Sequence, residues 1–126
     1  MATILVVDDE KPVREFLAAA LEQAGHRVLQ APDGRHALDM MASGGQLRPD
    51  LVISDVMMPV IGGIELCAFL KGNPATSSIP VVLMSAAARQ ASTEVRADAY
   101  IGKPFDLGTL DALVRRMLSV DAKLGS

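Results

Sequence analysis

The sequence predicts an α/β fold built on a parallel β-sheet. Short apolar runs recur five times, they are continuous rather than alternating, and helical patterns lie between them on short connections. Continuous runs belong to strands covered on both faces. Strands alternating with helices build βαβ units whose crossovers are right-handed.

The first run, Ile4-Leu5-Val6-Val7, is the first strand. Pro12 follows where a first helical residue can lack its N–H. Val13, Phe16, Leu17, Ala20, Leu21 and Ala24 then recur at helical spacing, and Gly25 supplies the stop. Val28-Leu29 makes a short second strand. Asp33 is placed to cap a second helix carrying Ala37, Leu38 and Met41, which ends at Gly44-Gly45. Leu51-Val52-Ile53 is the third strand and runs into Asp55. After a loop with Pro59, a third helix presents Ile64, Cys67 and Leu70 on one side and stops near Gly72. Val81-Val82-Leu83-Met84 is the fourth strand. The Ala-rich stretch at 86–97 has only a weak helical stripe, with Val95 its one large aliphatic residue. Ala99-Tyr100-Ile101 is the fifth strand, and Asp106 caps a last helix with Leu110, Leu113, Val114, Met117 and Leu118 inward.

Composition narrows the function classes. With 126 residues the chain fits one domain, expected at 1–119 with a short tail at 120–126 too small for an output domain. One cysteine excludes a disulfide framework or a multi-cysteine metal knuckle. Mean hydropathy is high at +0.30, yet no apolar run approaches the roughly 20 residues of a membrane span. The start lacks a signal-peptide pattern, so a cytoplasmic location is expected. A net charge of -3 argues against direct nucleic-acid binding.

In parallel α/β sheets, ligands sit beyond the carboxyl ends of the strands. Asp8-Asp9, Asp55, Ser85 and Lys103 all follow or end strands and so converge on that edge. Crowded carboxylates resist ionisation unless a cation joins them. Oxygen ligands without His or Cys favour a hard ion such as Mg²⁺, with Mn²⁺ its alternative. Three carboxylates, a divalent ion and Lys103 sum to zero charge, which leaves a phosphoryl group as the anion to add. A carboxylate can form an aspartyl phosphate, and Asp55 is the best-placed nucleophile.

These residues also carry a family resemblance. Val6-Val7-Asp8-Asp9-Glu10, Asp55-Val56-Met57-Met58-Pro59, Ser85-Ala86 and Tyr100-Ile101-Gly102-Lys103-Pro104-Phe105 together resemble the receiver domain of two-component response regulators, over residues 4–118. One such element is weak; four in order at strand ends are specific. The resemblance implies a flavodoxin-like sheet of order 2-1-3-4-5 with helices on both faces. It implies that Asp55 accepts phosphate from a histidine kinase or histidine phosphotransfer protein. Asp9, Asp55 and the Met57 backbone carbonyl would hold Mg²⁺, with Asp8 assisting through water. Lys103 would pair with Asp55 and then its phosphate, across a cis peptide to Pro104. Ser85 would donate to a phosphoryl oxygen and Tyr100 would change rotamer with it. The switched face, built from the fourth helix, fifth strand and fifth helix, would engage a downstream protein or output domain, without membrane insertion.

Some positions depart from the family pattern. Ile61-Gly62-Gly63 stands where most members carry an Asp, and Ser85 replaces the commoner Thr. Met57 and Ala87 occupy positions that tune phosphate lifetime. Ser85 and Lys103 are 103 − 85 = 18 positions apart. That separation is about four fewer than the family's, or roughly 6 Å of helix axis, so a shortened fourth helix and a remodelled output face are expected.

Simpler roles suit other residues. Asp33 reads as a cap, Cys67 as a small core residue, His26 and His36 as surface residues, and Arg115-Arg116 as a solvated helix face. Three rival functions remain at this point. A magnesium-dependent phosphatase usually wants a second acid where Met57 stands. A phosphorylation-independent scaffold fits the short fourth helix. A flavin or nucleotide binder needs a Gly-rich loop after the first strand, which is missing.

Overall fold

The structure, a computed structural model, describes residues 2–42, 48–85, 97–103 and 105–125. Five parallel strands, β1 (Thr3–Val7), β2 (Arg27–Ala31), β3 (Leu51–Asp55), β4 (Val81–Ser85) and β5 (Ala99–Gly102), form one sheet in the order β2-β1-β3-β4-β5. The described helices are α1 (Lys11–Gln23), α2 (Gly34–Ala42), α3 (Gly63–Lys71) and α4 (Leu107–Gly125).

Strand alternation divides the core in two. Ile4, Val6, Ile53, Val82 and Met84 point to one side, where Leu17 and Leu21 of α1 and Leu110 and Val114 of α4 cover them. Leu5, Val7, Val52, Val81 and Leu83 point to the other, against Ala37 of α2 and Leu66, Cys67 and Leu70 of α3. Both faces of β1, β3 and β4 are thus shielded from water, which is why their sequences read as unbroken apolar runs.

Local signals act as expected at most element ends. Gly25 takes φ +101 after α1, a left-handed turn open to glycine at no steric cost. Asp33 Oδ1 accepts the His36 N–H at 2.7 Å, and Asp106 Oδ1 accepts the Thr109 N–H at 2.7 Å. That bond, with the Thr109 side chain, holds the Asp106 carboxyl below its ordinary range. Cys67 is buried, and burial pushes its thiol pKa up.

Some sequence expectations shift. The apolar stripe of α1 is narrower than its spacing suggests, because Leu17, Ala18 and Leu21 are buried while Phe16 is 56% exposed and Ala24 is exposed. A helix on one face of a sheet contacts it along one stripe, and Phe16 falls beyond that stripe. The last helix runs to Gly125 through the segment read as a tail, since Ala122, Lys123 and Leu124 are good helix formers. The shortened fourth helix expected at 86–97 falls mostly outside the described residues, as does Pro104 with its cis peptide.

Candidate functional site

The carboxyl ends of β1 and β3 bring three acids together. One carboxylate oxygen from each of Asp8, Asp9 and Asp55 lies within 4.8 Å of the others. Asp8 is fully buried and Asp55 nearly so, whereas Asp9 is exposed. Lys103, entering from the end of β5, places Nζ 3.3 Å from Asp55 Oδ1 and 3.4 Å from Asp8 Oδ2. Sheet order explains the convergence: β1 lies beside β3, β3 beside β4 and β4 beside β5, all pointing the same way.

Backbone bonds hold each contributor. Asp8 donates its N–H to the Ala31 carbonyl at 3.1 Å, and its Oδ1 accepts the Glu10 N–H at 2.9 Å. Val56, after the β3 acid, donates to the Met84 carbonyl at 2.9 Å and accepts from Gly63 at 3.0 Å. Lys103 donates its N–H to the Ser85 carbonyl at 3.0 Å, which continues the β4–β5 register past its last pair, Ser85 with Gly102. Ser85 closes β4, buried at the same edge. Tyr100 sits half-buried on β5 and borders a surface cleft of about 710 Å³ with Ile101, Leu113 and Arg116. Met57 lies just past β3 with its side chain 75% exposed.

Electrostatics match a site built for cations and anions together. Burial raises the Asp55 pKa above its ordinary 3.8; Lys103 pulls the other way, while Asp8 and Asp9 add to the rise. Burial works to lower Lys103, but the charges of Asp8 and Asp55 outweigh it and the net shift is upward. One ammonium among three carboxylates leaves the cluster short of positive charge. Its donors are all oxygen, and a hard divalent ion fits them.

Three features escaped the sequence reading. Ser54, fully buried on β3, donates its hydroxyl to the Asp55 carbonyl at 2.9 Å. A Cβ at Gly63 would collide with that same carbonyl, so the α3 start packs directly on the acid's backbone. Arg14 donates Nη1 to the Asp8 carbonyl at 2.8 Å and Nε to Gln30 Oε1 at 3.2 Å. Adjacent glycines at 62–63 were the available signal for the close approach. For Arg14 it was a basic residue near a helix N-terminus, where the dipole disfavours one.

Comparisons with known proteins agree with this geometry. The family described as "Response regulator receiver domain" matches residues 4–115. The response regulator MprA of Mycolicibacterium vanbaalenii is 42% identical over 119 residues, covering 91% of this chain and 49% of that protein. The chain spans about half the length of the curated relatives it matches. The receiver domain of a signal transduction histidine kinase from Syntrophus aciditrophicus superposes with TM-score 0.88 at 36% identity, covering 94% of this chain and 91% of that one. The response regulator TrrA of Thermotoga maritima, solved with Mg²⁺–BeF, gives TM-score 0.83 at 33% identity, covering 94% of this chain and 100% of that one. Among the described residues, no helix is long and apolar enough to cross a membrane.

Proposed function

The chain belongs to the response regulator receiver domain family, and from that premise we propose that Asp55 accepts a phosphoryl group from a histidine kinase or phosphotransfer protein. One observation carries this reading: Lys103 Nζ sits 3.3 and 3.4 Å from the Asp55 and Asp8 carboxylates in the acidic cluster. An Asp55 oxygen attacks phosphorus, and the bond from phosphorus to the donor imidazole nitrogen breaks. The electron pair leaves with the imidazole, which takes up a proton, and an acyl phosphate remains on Asp55.

Asp9, Asp55 and the Met57 carbonyl would hold Mg²⁺ or Mn²⁺, with Asp8 beside them. Bound there, the ion supplies positive charge against the carboxylates and the transferring oxygens. Lys103 follows the charge from the free carboxylate to its phosphate. Ser85 donates its hydroxyl to a phosphoryl oxygen, and Tyr100, one strand position before Ile101, follows Ser85. The cleft along β5 and α4 then offers a downstream protein or output domain an altered surface. The domain turns over no metabolite; beyond its own phosphorylation it would catalyse only its own dephosphorylation, and it would work in the cytoplasm.

The test is the intact mass of the full chain after incubation with Mg²⁺ and acetyl phosphate. A single phosphoryl adduct on the wild type, lost in Asp55→Asn, is expected. An adduct that survives in Asp55→Asn would move the acceptor elsewhere, and none with any donor would leave a phosphorylation-independent scaffold.

A further inference from the structure

We propose that Arg14 is a positioning residue for the acidic site, setting the orientation of the Asp8–Asp9 peptide and through it the Asp9 carboxylate. This rests on the reading of Asp8, Asp9 and Asp55 as a magnesium site.

Asp8 is held at every polar atom. Its N–H reaches Ala31, Oδ1 takes the Glu10 N–H, and Oδ2 faces Lys103. The remaining atom is its carbonyl oxygen, which accepts from Arg14 Nη1 at 2.8 Å. That carbonyl belongs to the peptide plane from which Asp9 departs, so the bond determines where the Asp9 side chain begins. Among the described residues no hydrogen bond or ion pair holds the Asp9 carboxylate itself. Its direction therefore depends on the backbone beneath it. Gln30 Oε1 accepts from Arg14 Nε at 3.2 Å and braces the guanidinium against β2, the strand that pairs with β1. A guanidinium spans both acceptors with a rigid fork, which an ammonium cannot do.

Electrostatics alone argue against a cation at this position. Arg14 lies within the first turns of α1, where the helix dipole disfavours positive charge, and it stands beside a pocket for a divalent cation. If its charge were all that mattered, removing it would tighten magnesium binding. Positioning predicts the opposite sign, as for the outer partners of metal ligands generally.

Magnesium titration of the ¹⁵N-labelled full chain, followed by amide shifts at Asp9 and Asp55, separates the two. Arg14→Gln should weaken the affinity about tenfold, and Gln30→Leu should weaken it less, although it leaves the arginine charge in place. Melting temperatures in metal-free buffer should stay within a few degrees of wild type. Unchanged or tighter binding in Arg14→Gln overturns the proposal. Should that variant not fold, unchanged affinity in Gln30→Leu overturns it instead. A wild type that does not respond to magnesium overturns the metal reading itself, whereas a responsive wild type with indifferent variants overturns the role of Arg14 alone.

Discussion

Asp55 is poorly solvated, close to two other acids, and answered by one lysine. Its pKa is raised above the ordinary 3.8, burial being the main cause. A folded carboxyl that holds its proton more tightly than the unfolded one makes the unfolded chain the weaker proton binder. Stability then falls as pH rises from near 3.8 through the raised folded value. Replacing the acid with a neutral isostere removes that loss. In metal-free buffer near neutral pH, Asp55→Asn should melt a few degrees higher, on the order of 1 kcal/mol. The gap between variant and wild type should narrow on acidification through that window. Thermal melts at several pH values check both parts, and a variant that melts lower at neutral pH contradicts the reading. Asp8, Asp9, Asp55 and Lys103 were all identifiable from strand-end positions, because parallel strands deliver their carboxyl ends to one edge. Ser54 was not, because its partner is a backbone carbonyl, and for Arg14 the one signal, a basic residue near a helix N-terminus, does not name the Asp8 carbonyl it reaches.

Between β3 and α3 the chain makes a tight loop with its own geometry. Val60 adopts φ +68 while 73% exposed, a left-handed conformation that a β-branched residue rarely takes. Its neighbour Ile61 accepts the Gly34 N–H at 3.2 Å, which ties the loop to the start of α2. A Cβ at Gly34 would come within 2.6 Å of that carbonyl, so the tie depends on glycine. Held between this tie and the Gly63 contact, the loop imposes the strain on Val60. Val60→Gly should therefore stabilise the fold by about 1 kcal/mol, seen as a higher urea midpoint at unchanged slope. A lower midpoint would show that the valine side chain contributes more than its backbone costs. Helices and strands were legible here from apolar spacing and from caps such as Asp33 and Asp106. The loop's conformation was not, since Val60 carries no signal for positive φ and its strain comes from contacts far along the chain.

Across the whole molecule, sheet order and site are one design. The order β2-β1-β3-β4-β5 places β1 and β3 side by side so that their acids meet. Alternation was legible enough to predict a parallel sheet, while the strand order itself rested on family resemblance. Where α1 turns its face was less legible, because Phe16 continues the apolar spacing but lies outside the contact stripe. A ligand bound only by the folded chain raises its stability by mass action. Magnesium at ten times its dissociation constant should add about 1.4 kcal/mol, and Asp9→Asn should lose most of that gain. Unfolding followed by circular dichroism with and without Mg²⁺ measures it; equal gains in both proteins would remove Asp9 from the metal site.

The ion pair between Asp8 and Lys103 joins residues 95 positions apart. During synthesis Asp8, Asp9 and Asp55 emerge first, and the lysine that faces two of them arrives only after β4 and β5 have been made. A chain halted before the last strand carries the acids without the ammonium that answers them. The charge balance of the acidic cluster is thus complete only when the last strand of the sheet is in place.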